Sequence, residues 1–166
     1  MAGLIVIRGN SGSGKTSLAR EVQRRLGGLL ISQDVVRREM LRAKDGPGTP
    51  ALPLMQALLR YGAAHCERVI LEGILDAGVY RPLFVLGREL FGDRICACYY
   101  DIPFEETLRR HQTKPNCADF GEAEMRRWWK PRDLSDVLDE RILTVDVSLD
   151  AAAGWICDIA MGWTRG

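Results

Sequence analysis

Short apolar runs alternate along this chain with longer segments in which apolar residues recur every three or four positions. The runs GLIVIRG, LLIS, RVILEGIL, RICACYYDI and ERILTVDV predict five strands. The helical spacing between and after them predicts helices at about residues 15–26, 35–44, 54–62, 79–91, 103–111 and 149–161. Because strands that alternate with helices form parallel sheets, the pattern predicts an α/β fold with helices on both faces of the sheet.

Length and composition are those of a globular domain. The chain has 166 residues, 46% of them hydrophobic and 27% charged, and its net charge is +1. We therefore expect one domain over residues 1–166 and no general attraction to nucleic acid. No apolar run approaches the roughly 20 residues that a membrane helix needs, and the apolar start is too short for a signal peptide. A cytoplasmic protein without a membrane partner is expected.

The five cysteines are odd in number and form no Cys-x-x-Cys pair. Cys96 and Cys98 lie two positions apart in an apolar run, which places both on one face of a strand. This spacing favours buried free thiols in a reducing cytosol over a disulfide or metal framework.

One motif carries the strongest functional information in the sequence. The stretch GNSGSGKT at residues 9–16 fits the pattern Gly-x4-Gly-Lys-[Ser/Thr], with an apolar strand before it and an amphipathic helix after it. Glycines let the backbone amides of such a P-loop point inward at an anion, and the helix adds its positive amino end. The alternative, an ordinary glycine-rich turn, does not require the lysine and hydroxyl residues that follow.

This motif predicts ATP and Mg²⁺ as cofactors. Lys15 is expected to reach the outer phosphates, and Thr16 to offer its hydroxyl to the metal. The predicted nucleotide contacts are Gly9, Asn10, Ser11, Gly12, Ser13, Gly14, Lys15, Thr16 and Ser17.

A chain of this length with its P-loop at residue 9 resembles the small P-loop kinases of the adenylate kinase-like group. The resemblance implies a P-loop NTPase fold, a five-stranded parallel sheet of order 2-3-1-4-5, and a mobile lid that carries arginines. No Asn-Lys-x-Asp motif supports a GTPase. Oligomeric ATPases usually carry helical modules for which this chain has no room.

The stretch LLISQDVVRREM places Asp34 after the second strand and Arg37 three residues later. It resembles the acceptor site of polynucleotide kinase and of chloramphenicol phosphotransferase, which implies Asp34 as general base and Arg37 as a contact to the acceptor or its phosphate. Ligands of open α/β sheets bind where strands end, which agrees with this role. Alternatively, Asp34 caps the following helix, and it can do both.

Glu72 interrupts the apolar run RVILEGIL, so its carboxylate must be paired, ligated or at the exit of the strand. It resembles the acidic residue that holds Mg²⁺ in P-loop proteins, although Asp is usual there. We therefore predict a metal or substrate contact at Glu72, with a solvated strand-end glutamate as the alternative.

The segment at about residues 113–136 is rich in charge and poor in apolar residues, except for Trp128 and Trp129. We predict a lid here, in which inserted arginines stabilise the transferring phosphoryl group. Arg110, which resembles the lid-edge arginine of small kinases, and Arg126 are the candidate catalytic residues. The alternatives are a solvated charged face for the segment and core packing, instead of stacking on a ligand, for the tryptophans.

Over nearly its full length the chain resembles a bacterial group labelled kinase or uridine kinase, related to polynucleotide kinase and zeta-toxin-like phosphotransferases. The stretches ILEGIL, YYDIPFEETLRRHQTKP and FGEAEMRRWW carry this likeness. It implies transfer of the γ-phosphoryl group of ATP to a hydroxyl of a small molecule, such as a nucleoside, a sugar-like metabolite or an antibiotic, with adenine near residues 144–148. The alternatives are a polynucleotide 5′-hydroxyl kinase, which the balanced charge does not favour, and a non-catalytic ATP-binding sensor.

Overall fold

The five predicted strands form one sheet in the computed structural model, which describes residues 1–115 and 117–163. They are β1 (Gly3–Gly9), β2 (Leu29–Ser32), β3 (Arg68–Gly73), β4 (Ile95–Tyr100) and β5 (Glu140–Leu143). Neighbouring strands run parallel in the order β2-β3-β1-β4-β5. The expected P-loop NTPase fold and its strand order are thereby confirmed.

Helices cover both faces of the sheet, as the sequence pattern predicts. They are α1 (Lys15–Leu26), α2 (Ala51–His65), α3 (Arg81–Phe91), α4 (Phe104–Gln112), α5 (Glu122–Trp128) and α6 (Leu149–Gly162). Side chains of β1 alternate between the two faces, so that Leu4 and Val6 pack with α2 and α3, while Ile5 and Ile7 pack with α1 and α6. Within the described ranges, no helix is long and apolar enough to cross a membrane.

The segment after β2 differs from the predicted helix at 35–44. Residues Val35–Met40 form a short π-helix, in which the Leu41 amide donates to the Val36 carbonyl oxygen at 3.1 Å. Because π-helical turns are tolerated only in short pieces, the helix ends at Met40 instead of running on to residue 44. A loop over residues 41–50 follows and forms one wall of the cleft described below.

The predicted fifth strand is shorter than its apolar run suggests. β5 ends at Leu143, and the Val147 amide then donates to the Thr144 carbonyl oxygen, which turns the chain into α6. The predicted lid at 113–136 contains α5, and its residue Asn116 lies outside the described part of the chain. Residues 164–166 of the predicted domain lie outside it as well.

Candidate active site

The loop between β1 and α1 has the backbone shape of a phosphate cradle. Gly12 and Gly14 adopt left-handed conformations, with φ values of 80° and 104°, which residues with side chains rarely adopt. A Cβ atom at Gly12 would also collide with the carbonyl oxygen of Thr107 in α4. Since Gly14 caps the amino end of α1, the free amides of the first helical turn border the loop and favour an anion there.

Lys15 is the first residue of α1 and is only 8% exposed. Its Nζ donates a hydrogen bond of 3.2 Å to the carbonyl oxygen of Asn10 in the same loop. Burial lowers the pKa of Lys15, and the negative charges of Glu72 and Asp34 oppose this shift. A buried ammonium group whose hydrogen-bond partner is neutral is suited to receive the charge of a phosphate group.

Three oxygen-bearing side chains meet where β1, β2 and β3 end. The Thr16 hydroxyl lies 3.3 and 3.2 Å from the two carboxylate oxygens of Glu72. Ser32 Oγ donates to Glu72 Oε1 at 2.6 Å. Since Glu72 is only 2% exposed, these hydroxyl groups satisfy a carboxylate that burial would otherwise penalise. No pattern in the sequence identifies Ser32, because its link to Glu72 arises from the pairing of β2 with β3.

This group of side chains fits a magnesium ion. Mg²⁺ prefers oxygen ligands and keeps several of its waters when it binds a nucleotide. Thr16 and Glu72 supply a hydroxyl and a carboxylate beside the phosphate cradle, and Ser32 orients the carboxylate. The donor set is therefore one that would suit a metal held by Thr16 and Glu72.

Of the other predicted nucleotide contacts, Ser11 lines a cleft beside the cradle, whereas Ser13 is fully buried. Ser17 is exposed on α1. Gly9 ends β1, where a Cβ atom would lie 2.9 Å from the Cβ atom of Tyr100. The cradle therefore presents its backbone, Lys15 and the Thr16 hydroxyl more directly than its serine side chains.

An open cleft of about 680 Å³ lies beside the cradle. Lys15 of the cradle, Asp34 and Arg37 all line it, as do Trp128 and Trp129 from the end of α5. The structure thus brings the predicted phosphate-binding lysine and the predicted general base into one cavity, although they come from different strand–helix connections.

Asp34 is accessible in this cleft, since 66% of its side-chain surface is exposed. Its Oδ1 lies 3.5 Å from Arg37 Nη2 and 3.7 Å from Arg38 Nε. Among the described residues, its side chain accepts no capping hydrogen bond from the helical turn that follows. The carboxylate therefore points to the cleft and its cations, and the capping alternative is not observed.

Arg110 reaches the cradle from α4. Its Nη1 donates to the Ser13 carbonyl oxygen at 2.6 Å, and its Nε donates to Glu106 Oε1 at 3.0 Å. Lys114, just beyond α4, lies close enough to the charged groups of this region for them to affect its pKa. Burial and then the positive charge of Lys15 lower the pKa of Lys114, while nearby carboxylates oppose the shift. The Arg110 guanidinium therefore brings positive charge to the cradle from this end of α4.

Arg126 does not line the cleft. Its guanidinium lies 4.1 Å from the centre of the Phe104 ring and 2.8 Å from Glu122 Oε1. The next residue, Arg127, lines the cleft instead. Successive side chains on a helix diverge by about 100°, so the rotation of α5 decides which arginine faces the cavity, and the sequence does not give that rotation. A role for Arg126 stays a prediction.

Trp128 and Trp129 both pack against other aromatic rings and line the cleft, so they show features of both alternatives, core packing and access to a ligand. Trp129 packs edge-on against Phe104 with ring centres 5.4 Å apart, and Trp128 lies 5.1 Å from the Phe120 ring. Trp128 remains 38% exposed, and both rings reach the cleft. α5 ends at Trp128, so Trp129 lies outside the helix. Each ring packs against a phenylalanine and lines the cleft.

Asn10 joins the cradle to the end of the predicted lid. Its Nδ2 donates to the Lys130 carbonyl oxygen at 2.7 Å, and the Lys130 amide donates back to Asn10 Oδ1 at 3.0 Å. Lys130 Nζ also forms an ion pair with Asp76 from the loop after β3. The lid segment is thus fastened at Lys130, a link between residues 120 positions apart that no local pattern reveals.

Solved structures of several small kinases have a similar fold. A gluconokinase from Sinorhizobium meliloti 1021 is 18% identical, with a TM-score of 0.64 over 98% of this chain and 96% of that protein. An APS kinase from Mycobacterium tuberculosis, in complex with AMPPNP and APS, is 24% identical, with a TM-score of 0.64 over 95% and 96%. A shikimate kinase from Bacteroides thetaiotaomicron is 16% identical, with a TM-score of 0.63 over 95% and 97%. At these identities the likeness shows the shared fold.

Sequence comparison gives the family. Curated proteins provide no match to the chain. A family model described as an AAA domain matches residues 4–128, which is more than half of the chain and includes the P-loop, Asp34, Glu72 and α4. The chain therefore belongs to the AAA_33 family of AAA domains.

Proposed function

We propose that this protein is an ATP- and Mg²⁺-dependent kinase that transfers the γ-phosphoryl group of ATP to a hydroxyl group of a small molecule. The observation that carries the proposal is the shared cleft, since Lys15 of the phosphate cradle and the accessible carboxylate of Asp34 line one cavity. A protein that only binds nucleotide does not need an accessible carboxylate at that position. A kinase needs one, to accept or orient the proton of the attacking hydroxyl.

The cradle's part in the reaction is to bind phosphate and offset its charge. The amides of the loop and the amino end of α1 hold the phosphate groups, and the Lys15 ammonium lies against the outer ones. Thr16 and Glu72 would hold Mg²⁺, which would supply positive charge to offset that of the phosphate groups. These contacts stabilise the leaving ADP as the bond between the γ-phosphorus and its bridging oxygen breaks.

In the part of the cleft that binds the acceptor molecule, the protein supplies a general base and excludes water. Asp34 takes the proton of the acceptor hydroxyl while the oxygen forms its bond to the γ-phosphorus. Arg110 is held 2.6 Å from the Ser13 carbonyl oxygen and stabilises the charge on the transferring group. The predicted lid at about residues 113–136 closes over the cleft and keeps water from the phosphate.

The identity of the acceptor is the finer part of this proposal. Proteins of this fold and length that are named for gluconate, APS and shikimate support a small molecule. The resemblance of the Asp34–Arg37 stretch to polynucleotide kinase and chloramphenicol phosphotransferase supports a hydroxyl acceptor next to these residues.

A transfer screen with γ-labelled ATP tests the function. Nucleosides, sugars and sugar acids, phenicol and aminoglycoside antibiotics, and 5′-hydroxyl oligonucleotides are offered as acceptors. We expect one small molecule to be labelled, and Asp34→Asn to lower that transfer by about 10²–10⁴-fold while ATP affinity stays unchanged. Glu39→Gln, an exposed change on the same π-helical turn, is the matched control. Full transfer by Asp34→Asn would contradict the assigned base.

A second candidate is a polynucleotide 5′-hydroxyl kinase. The observation that favours it is the set of cations at the cleft, where Arg37, Arg38 and Arg127 line the same cavity as Asp34. In that case the screen labels only the oligonucleotide, and its affinity falls with added salt because phosphate contacts release counterions. If ATP binds and no acceptor is labelled, the result favours a nucleotide sensor instead.

A further inference from the structure

The cleft beside the cradle carries more positive than negative charge. Six basic and three acidic residues line it, and most of the acidic ones already have partners. Asp76 pairs with Lys130, and Asp45 accepts hydrogen bonds from Gln33 Nε2 at 2.9 Å and from the Tyr80 hydroxyl at 2.8 Å. The excess positive charge therefore comes from basic side chains that belong neither to the cradle nor to these pairs.

Arg37 is one of the incompletely paired cations. Its side chain is 17% exposed, its Nη2 lies 3.5 Å from Asp34, and its Nη1 donates to the Ala43 carbonyl oxygen at 3.3 Å. Its Nε is buried and has no hydrogen-bond partner within residues 1–115 and 117–163. A buried donor without a partner is costly, and a ligand oxygen at this position would satisfy it.

Lys44 and Arg127 face the same cleft from two other elements. In the described part of the chain, neither side chain forms an ion pair or a hydrogen bond. Lys44 lies in the loop over residues 41–50, which the partly buried hydrogen bonds of Asp45 to Gln33 and Tyr80 hold in place. Arg127 lies on α5, within the predicted lid. A fixed loop and a lid helix thus each present a free cation to one cavity.

We propose that Lys44 and Arg127, with Arg37 between the loop and the cradle, form a second anion site that binds a phosphate monoester carried by the acceptor itself. The inference rests on the proposed function, because it names the substrate class of the same cleft. A phosphate monoester carries nearly two negative charges and three acceptor oxygens. It therefore matches three cations better than an acceptor that carries a single carboxylate would. Neutral acceptors would leave these cations unused, and polycationic aminoglycosides would be repelled.

Such a site also links acceptor binding to lid closure. Arg127 is contributed by the lid helix and Lys44 by the fixed loop, so a phosphate between them favours the closed arrangement. Binding of the phosphorylated acceptor would then draw Arg127 into place, whereas a molecule without the phosphate would not.

Binding is tested without catalysis, by titrating inorganic phosphate into protein whose cradle is already saturated with Mg²⁺ and AMPPNP. Trp128 and Trp129 line the cleft, so their fluorescence reports occupancy. We expect saturable binding that is weakened about 10-fold by Lys44→Gln and by Arg127→Gln, and about 100-fold by the double variant. Arg42→Gln with Arg60→Gln removes two exposed charges outside the cleft and should change the affinity less than about 2-fold.

Thermal melting of the double variant shows that it is folded. An unchanged titration in that folded variant, or the absence of saturable phosphate binding to the wild-type protein, would overturn the second anion site. Because AMPPNP does not transfer its phosphoryl group, this result does not depend on whether the protein is a kinase.

Matched acceptors then test the substrate class. Adenosine is compared with adenosine 3′-monophosphate, ribose with ribose 5-phosphate, and glucose with both gluconate and glucose 6-phosphate. We expect a phosphorylated member to be preferred at least about 10-fold in kcat/KM, and Lys44→Gln/Arg127→Gln to abolish that preference while leaving transfer to the neutral member unchanged. Efficient transfer to a neutral or carboxylate acceptor over its phosphorylated partner would overturn this inference and leave the kinase proposal intact. If no acceptor is labelled, the kinase proposal fails and the phosphate titration alone decides the anion site.

Discussion

The buried arginine of the sheet and the exposed arginines of α4 and α5 differ in where their partners lie in the sequence. Arg8, in the middle of the sheet, is fully buried and binds partners far away in the sequence. Its guanidinium donates to the Leu75 carbonyl oxygen at 2.8 Å, to Glu140 Oε1 at 2.8 Å and to the Asp133 carbonyl oxygen at 2.9 Å. One side chain thus ties β1 to β5, to the segment that follows β3 and to Asp133 near the end of the predicted lid.

The arginines of α4 and α5 form local and exposed pairs. Arg109 pairs with Glu106 three residues before it, and Arg126 pairs with Glu122 four residues before it. Both arginine side chains are more than half exposed. Such pairs stabilise the helix that contains them, but they do not attach it to the rest of the protein.

The difference shows which contacts join distant parts of the chain. The chain is fixed to the sheet from Lys130 onward, by Asn10 and by Arg8, whereas the exposed arginines of α4 and α5 add only local pairs to the buried packing of Thr107 and Met125. Arg110 is the exception, because it pairs locally with Glu106 and also reaches the Ser13 carbonyl oxygen.

Removing the buried arginine should have the largest effect on stability. Arg8→Met leaves the Glu140 carboxylate, which is 2% exposed, without its cation, so we expect the free energy of unfolding to fall by about 3–5 kcal/mol. Urea denaturation measures the change. The double variant Arg8→Met/Glu140→Gln should recover part of the loss, because it no longer buries an unpaired charge.

Arg126→Met is the matched change in the exposed set. Its pair with Glu122 is open to solvent, so the urea midpoint should stay close to that of the wild-type protein. Equal losses in Arg8→Met and Arg126→Met would contradict the distinction between the two sets of arginines.

Arg110 and Arg109 separate a role in catalysis from a role in the helix. Both pair with Glu106, but only Arg110 also donates to the cradle. We expect Arg110→Gln to lower the rate of phosphoryl transfer by about 10²–10³-fold with little change in unfolding, and Arg109→Gln to keep nearly full activity. Steady-state kinetics with the acceptor found in the screen measure both variants, and similar rates in the two would contradict a role for Arg110 at the phosphate.

Local features of the site could be predicted from the sequence, and long-range ones could not. The P-loop is recognisable because its eight positions are contiguous, Asp34 because it follows a predicted strand, and Glu72 because it is a single charge within an apolar run. Arg8 looks like a single charge inside an apolar run, and its partners lie 67 to 132 positions away. The choice between Arg126 and Arg127 depended on the rotation of α5, which is set by tertiary packing against Phe104.

The link between the cradle and the end of the lid should be weaker than the Arg8 network. Asn10→Ala removes two hydrogen bonds to the backbone of Lys130, and we expect a loss of about 1–3 kcal/mol in the free energy of unfolding. Asn10→Asp keeps the acceptor for the Lys130 amide and should lose less. Hydrogen exchange of the Lys130 amide gives the local readout, since it should speed up strongly in Asn10→Ala and weakly in Asn10→Asp. Unchanged exchange in both would contradict the fastening of the lid at Lys130.

The smallest expected effect concerns the exposed pairs themselves. Hydrogen bonds from Arg109 and Arg110 lower the pKa of Glu106 from its ordinary value of 4.5 to about 2. A carboxylate with a lowered pKa stabilises the folded state above the ordinary value, and this contribution is lost as the pH falls toward the lowered one. The difference in melting temperature between the wild-type protein and Glu106→Gln should therefore be greatest above pH 4.5 and should vanish as the pH approaches about 2. Because the pairs are exposed, added salt should also shrink the difference at neutral pH, and a difference that survives both acid and salt would show that Glu106 acts through buried contacts instead.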